Sequence, residues 1–403
     1  MTQRRLLVFA AFLIFIPLMA FLVIRIAQGY RPDFSTLSFR PSGLLVATST
    51  PDGAQLFIDG KLTSATNITL NLPPEEYEVE IRKDGFTTWK KTLPLKKELV
   101  VKTDALLFPT FPDLRPLTFT GASNPIVSPD RQKVVFAVSG ASAGKNGLWI
   151  LDLADRPLGF PREPRQIVRS APRGRDFADS TYTWSPDSKE ILVTLESRPG
   201  AKPGEQIEEN FLLDANQLNL DTSLIDVTLG LEGIYSRWDE EEAIREKAKI
   251  GKLPKKLLEV LEEATEEITF SPDESKILYT ATASASISEE IIPPLPAANS
   301  QPESRDLEPG KIYVYDFKED KNFYLMDKDE AKTLSWFPTS RHLFLVQAEK
   351  ITILEYDNTN WIDVYSGPFE NSFAHPFPAG NKILILTTLG KETPPNLYAI
   401  NLR

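Results

Sequence analysis

Cysteine is absent from this chain of 403 residues, and histidine occurs only at His342 and His375. The first absence excludes disulfides, thiolate nucleophiles and cysteine-held metals. The second leaves almost no material for histidine catalysis or ligation. No zinc spacing, phosphate-cradling glycine loop, Gly-x-Ser-x-Gly elbow or Ser/His/Asp set occurs. Basic charge is in deficit, with 45 Lys and Arg against 56 Asp and Glu. Such a surface repels phosphate, so nucleic acid is not expected as a partner. No catalytic residue, cofactor-binding residue or metal ligand is assigned, and no cofactor is expected. Hydrophobic residues at 41% and charged residues at 25% are the balance of folded domains, and the length calls for more than one of them.

Long apolar runs are missing as well, with one exception. Residues 6–24 carry no charge and are nearly all apolar, enough as a helix to cross a hydrocarbon core of about 30 Å. Arg4 and Arg5 precede the run and direct the short N-terminus to the cytoplasm, an asymmetry weakened by Arg25 and Arg31 on the far flank. No small-x-small cleavage site follows at Arg25-Ile26-Ala27-Gln28. Residues 1–29 are therefore expected to form a cytoplasmic stub and an uncleaved signal anchor. That makes the chain single-pass in the cell membrane through residues 6–24, with its bulk extracytoplasmic.

What is abundant is a repeat. Val127-Ser128-Pro129-Asp130 precedes Lys133-Val134-Val135-Phe136, Trp184-Ser185-Pro186-Asp187 precedes Ile191-Leu192-Val193, and Phe270-Ser271-Pro272-Asp273 precedes Ile277-Leu278-Tyr279. Weaker copies are Trp336-Phe337-Pro338-Thr339 before Leu343-Phe344-Leu345, and His375-Pro376-Phe377-Pro378 before Ile383-Leu384-Ile385-Leu386. Recurrence of strand, Pro turn and strand predicts small sheets that bury their faces only against neighbours. The expectation is a mainly β chain whose residues 114–403 form a β-propeller of five blades, six being the alternative. The last repeat ends at Arg403 one strand short, and residues 114–119 supply a strand without a blade, so the two ends are expected to share one blade and close the ring. Two insertions interrupt the pattern: a helical one at 238–266 and a loop at 283–310 rich in Pro and Ser, expected to be flexible. The Ser-Pro-Asp turns resemble the TolB-like or WD40-like repeats of bacterial periplasmic and surface propellers, a resemblance that implies fold more than function.

Between linkers at 30–42 and 106–113, residues 43–105 read as short alternating strands. Pro51-Asp52-Gly53-Ala54, Ile58-Asp59-Gly60, Leu72-Pro73-Pro74 before a strand centred on Tyr77, and Lys83-Asp84-Gly85-Phe86 follow one another. Asp-Gly between apolar strands is a hairpin signal. In this order the four elements resemble a PEGA domain, a small antiparallel β-sandwich of bacterial and archaeal surface proteins. Glu76 stands where that family has glycine before its tyrosine, and Ser64-Ala65-Thr66-Asn67 replaces a Gly-x-Thr-Pro-like turn. The resemblance implies envelope location and binding, or a rigid spacer.

Candidate contact residues are few. Arg162, Arg165, Arg169, Arg173 and Arg175 form the one basic stretch, offered as a contact for an anionic polymer, headgroup or partner, with a solvated loop as the alternative. Glu240, Glu241 and Glu242 have the look of an acidic site, but read as the first turn of a helix, where negative charge favours the dipole. Two functions stay open. One is a non-enzymatic, membrane-anchored envelope module binding a protein or a cell-wall or surface polymer; the alternative is an anchored glycan hydrolase or lyase with its site in the propeller funnel.

Overall fold

The computed structural model describes residues 3–27, 31–33, 38–142, 144–154, 163–171, 175–196, 208–293, 295–296, 298–331, 333–390 and 393–403. The chain is mainly β and built from many antiparallel sheets. Its first element is the helix α1, Gln3–Ala27. Among the described residues no helix is long and apolar enough to cross a membrane. The apolar side chains described in α1 lie bare, with Phe9 and Ile14 each more than three-fifths exposed.

The chain divides into two compact units. The first comprises Met1–Thr110, Ile292–Glu303 and Phe317–Lys321; the second takes the rest. In the first, Gly43–Ala47 pairs antiparallel with Ile68–Leu72 and parallel with Val100–Lys102, while Gln55–Ile58 lies between Lys61–Ala65 and Glu76–Arg82, with Trp89–Pro94 outermost. Leu45, Leu56, Val79, Ile81 and Trp89 form the core. Asp59 and Gly60 both adopt positive φ, the backbone that a two-residue hairpin turn requires. The altered segment at 64–67 acts as a polar clasp, because the Thr66 hydroxyl accepts from the Ala54 N–H at 2.9 Å and meets the Ser49 hydroxyl at 2.6 Å.

Among the described residues the second unit contains five antiparallel sheets of three or four strands, besides one two-stranded pairing. Sheet I is Ser123–Val127, Lys133–Val138, Gly147–Asp152 and Arg165–Arg169; sheet II is Thr181–Trp184, Glu190–Leu195 and Glu209–Asp214. Sheet III is Thr265–Phe270, Lys276–Ala281, Lys311–Asp316 and Lys321–Asp327. Sheet IV is Thr333–Trp336, His342–Val346, Lys350–Glu355 and Ile362–Ser366. Sheet V takes Ala374–Pro376, Lys382–Thr387 and Asn396–Asn401 from the end of the chain, and Leu114–Pro116 as its outer strand. Leu114 pairs with Ile400, Arg115 with Ala399 and Pro116 with Tyr398, as the sharing of one sheet by both ends requires.

Sheets meet through apolar faces. Val135, Ile150 and Val168 of sheet I bury against Tyr182, Trp184 and Val193 of sheet II. Leu278 and Val314 of III meet Trp336 and Leu343 of IV. Phe136 and Leu151 of I meet Leu384 and Leu397 of V, so the last sheet packs on the first. Two tryptophans tie neighbours by hydrogen bonds as well: Trp184 Nε1 donates to Ile126 O at 3.1 Å, and Trp336 Nε1 to Thr269 O at 3.0 Å. Each buried aromatic of this size contributes roughly 1.5–3 kcal/mol.

Between sheets II and III come two helices, α2, Leu231–Ile250, and α3, Lys255–Ala264. In α3 the buried Leu257, Leu261 and Ala264 form one stripe. α2 begins before the position expected from the sequence, so Glu240, Glu241 and Glu242 lie in its middle and not in its first turn. There Glu241 pairs with Arg245 one turn on, at 2.6 Å. The loop at 283–310 is partly ordered by pairing of Ala285–Ser286 with Asp306–Leu307.

Candidate functional site at the turn face

The repeated proline turn sets the geometry. In each sheet the fourth residue of the turn donates its N–H to the carbonyl of the first: Arg131 to Ser128, Ser188 to Ser185, Glu274 to Ser271, Ser340 to Phe337 and Gly380 to Phe377. All five fourth residues have φ between 54° and 62°. Proline fixes its own φ at the start of the turn, and the left-handed residue reverses the chain.

Three of the turns carry the same side-chain network. Ser185 Oγ donates to Asp187 and Ser271 Oγ to Asp273, at 2.7 and 2.8 Å, and Ser128 does so to Asp130. The carboxylate then accepts a backbone N–H two residues on, and the serine oxygen accepts the first N–H of the next strand. Burial alone would raise the Asp273 carboxyl, but the Ser275 and Ser271 hydroxyls outweigh it and hold the group well below the carboxylate range. Asp187 is lowered in the same way against its own burial, by Ser185 and Lys189. Serine and aspartate are thus turn chemistry. Turns also touch one another, since Asp130 N–H donates to Ser188 Oγ and Asp273 N–H to Ser340 Oγ, both at 3.0 Å.

The turns of sheets I, III, IV and V line one cavity of about 430 Å³. Its apolar wall is Phe270 with prolines 129, 272, 338, 376 and 378; its charged groups are Asp130, Arg131, Glu274 and Lys249 from the end of α2. Arg131 is open to solvent, yet the surrounding wall strips enough water from its guanidinium to lower its pKa. Close by, burial and then the Arg131 charge push the His375 imidazole down to about 4, and His375 Nε2 is buried without a hydrogen bond. α2 and the turn after it reach this face by two anchors: Arg245 of the helix reaches the Pro186 carbonyl, and Lys252 of the turn pairs with Glu274 at 2.6 Å. A second cavity of about 480 Å³ lies beside α2, where Lys189 pairs with Asp187 and Arg237 with Glu190, while Asp214 and Glu241 leave the lining net negative.

Of the basic stretch singled out in the sequence, Arg165, Arg169 and Arg175 each have hydrogen-bond partners within the fold. Arg175 is held by Glu209 and Asp221, each at 2.9 Å, with its plane over the Phe211 ring. Arg165 donates to Ala215 O, and Arg169 to Gln166. Arg162 and Arg173 lie outside the described residues. Among the described residues no cluster of His, Asp and Glu has the geometry of a metal site. Arg131 and Lys249 were not singled out in the sequence. Aligning the repeats marks position 131 as the left-handed residue of its turn, but nothing local points to 249.

Solved structures that match this chain include a putative TolB from Agrobacterium tumefaciens, 13% identical over 70% of this chain and 72% of that one, TM-score 0.21. Another is TolB from Acinetobacter baumannii, 14% identical over 81% of this chain, which spans only 60% of that protein, TM-score 0.22. An oligogalacturonate lyase in complex with manganese is 11% identical over 87% and 97% of the two chains, TM-score 0.26. No curated protein sequence matches. At such scores the likenesses carry no functional weight. In the first unit, residues 42–110 match the PEGA domain.

Proposed function

We propose that this is a single-pass, membrane-anchored envelope protein in which a PEGA-like sandwich and a five-bladed β-propeller act outside the cytoplasm as a binding module. The observation that carries the reading is the convergence of four repeat turns on one cavity with exposed cations. Five sheets in chain order, with both chain ends in sheet V, support the propeller. The anchor is supported by the uncharged residues 6–24 and by the bare apolar side chains of α1, which lipid would cover. The partner class is protein rather than polymer, for the reason given below.

The glycosidase alternative receives no support from the cavity. A general acid requires a raised pKa, whereas hydrogen bonding to Lys252 lowers that of Glu274. Crosslinking of the full chain in its native membrane, followed by identification of attached molecules, tests the binding role. Alkaline extraction and external protease digestion test the topology. Release of the intact chain by alkali, or full protection of its bulk in sealed right-side-out cells made permeable only in their outer layer, would sink the anchored reading.

A further inference from the structure

We propose that the turn-face cavity holds a carboxylate of an acidic peptide segment between Arg131 and Lys249; this deepens the binding-module reading and rests on it. The two cations approach from different parts of the chain, one on the turn of sheet I and one at the end of α2. Lys249 lies near enough to Glu274 to help lower its pKa, but the short ion pair of that carboxylate is with Lys252. The two carboxylates of the cavity are already engaged: Asp130 by Ser128 and the Gln132 N–H, Glu274 by Lys252. Counted with Lys252, the mouth carries three cations against these two carboxylates, a net positive charge on a chain whose net charge is −11.

That contrast selects the ligand. A long polyanion gains at the mouth but is repelled by the acidic surface around it, whereas a short segment presenting one or two carboxylates meets only the local attraction. Five prolines and Phe270 offer ring faces and no proline N–H, which suits an apolar side chain beside the carboxylate. The volume falls within the roughly 300–1,000 Å³ of ligand clefts. Arg131 is presented by a turn fixed through its own N–H to Ser128 O at 2.8 Å, and a guanidinium fork matches a carboxylate in two-point geometry. The inference also gives α2 a role. Among its described residues only Trp238 is buried, so packing does not account for the helix, whereas delivery of Lys249 to the mouth does.

The test is fluorescence titration of the full chain in detergent with a dye-labelled, end-blocked Glu-Leu-Glu tripeptide. Gln-Leu-Gln serves as the neutral control and inorganic phosphate as competitor. Saturable, salt-sensitive binding is expected, weakened about tenfold by Arg131→Gln and by Lys249→Gln, with Lys249→Arg retaining it. Both side chains are exposed, so an unchanged melting temperature certifies the fold of each variant. No binding, equal binding of the neutral peptide, undiminished affinity in both Gln variants, or displacement by phosphate at the same concentration as by peptide overturns the inference. Partner crosslinking that persists in the Arg131→Gln/Lys249→Gln double variant removes this inference alone; absence of any crosslinked partner removes the binding-module reading itself.

Discussion

The Ser-Pro-Asp turns of sheets I, II and III and the Phe-Pro turns of sheets IV and V reach the same backbone by different means. Each closes with the same two hydrogen bonds, from the fourth residue back to the first and from the first residue to the start of the next strand. In the first group a serine and an aspartate hold the loop from within. In the second the serine position is a buried ring: Phe337 is fully buried and stacks on Phe344 at 6.4 Å, and Phe377 lies under the Lys382 ammonium. The aromatic solution depends on the neighbour. A Cβ at Gly380 would stand 3.2 Å from the Phe337 ring, and its φ of +62° already favours glycine. Local hydrogen bonds make a turn autonomous; a buried ring makes it part of an interface.

The largest effects should come where burial is deepest. Phe337→Ala should cost about 3–5 kcal/mol in urea unfolding, and Phe337→Ser with Thr339→Asp should not restore it, because the pocket would still be vacant. Recovery of full stability by that double change would erase the distinction between the two groups. Lys276, which follows the sheet III turn, is nearly inaccessible, pairs with Asp316 at 3.1 Å and lies 4.6 Å from the Tyr356 ring centroid. Lys276→Met alone should cost about 3–5 kcal/mol by stranding a buried carboxylate, with most of it regained on adding Asp316→Leu.

Acid should act on both groups of turns. His375 stands on the strand entering the sheet V turn, and its pKa of about 4 lies below its unfolded value of 6.5. The unfolded chain therefore takes up that proton first, and stability falls as pH drops from about 6.5 to 4, by up to about 3 kcal/mol. His375→Gln should flatten that part of the pH profile measured by thermal denaturation. The smallest effect belongs to the polar turns: Asp273→Asn should cost about 1–2 kcal/mol at neutral pH. Because the folded pKa of Asp273 is depressed, its contribution is full above about pH 4 and declines as pH falls from there toward the folded pKa, so the gap between the native chain and the Asp273→Asn variant should narrow on acidification. A gap that did not narrow between about pH 4 and pH 2 would assign the loss to geometry instead of charge.

Repeats were legible because proline and alternating strands leave a local pattern, and the sharing of sheet V was legible from a strand too few at one end and one too many at the other. The start of α2 was not. Gly233 and an all-round polar surface hide a helix that packs through Trp238 alone among its described residues. The partners of Arg165 and Arg175, which are Ala215 O, Glu209 and Asp221, were not visible in the sequence because they are distant along the chain. The mouth suffers from the same blindness in reverse. Arg131 and Lys249 are ordinary in their own segments and become a pair only when the fold brings a turn and a helix end together.

Pairing of residues 114–116 with 398–400 has a consequence for biosynthesis. The opening strand emerges from the ribosome nearly a whole unit ahead of its mate, a delay on the order of tens of seconds. Through that interval its edge is available to other chains, so a cell making this protein quickly has reason to shield the newborn segment until the final strand arrives.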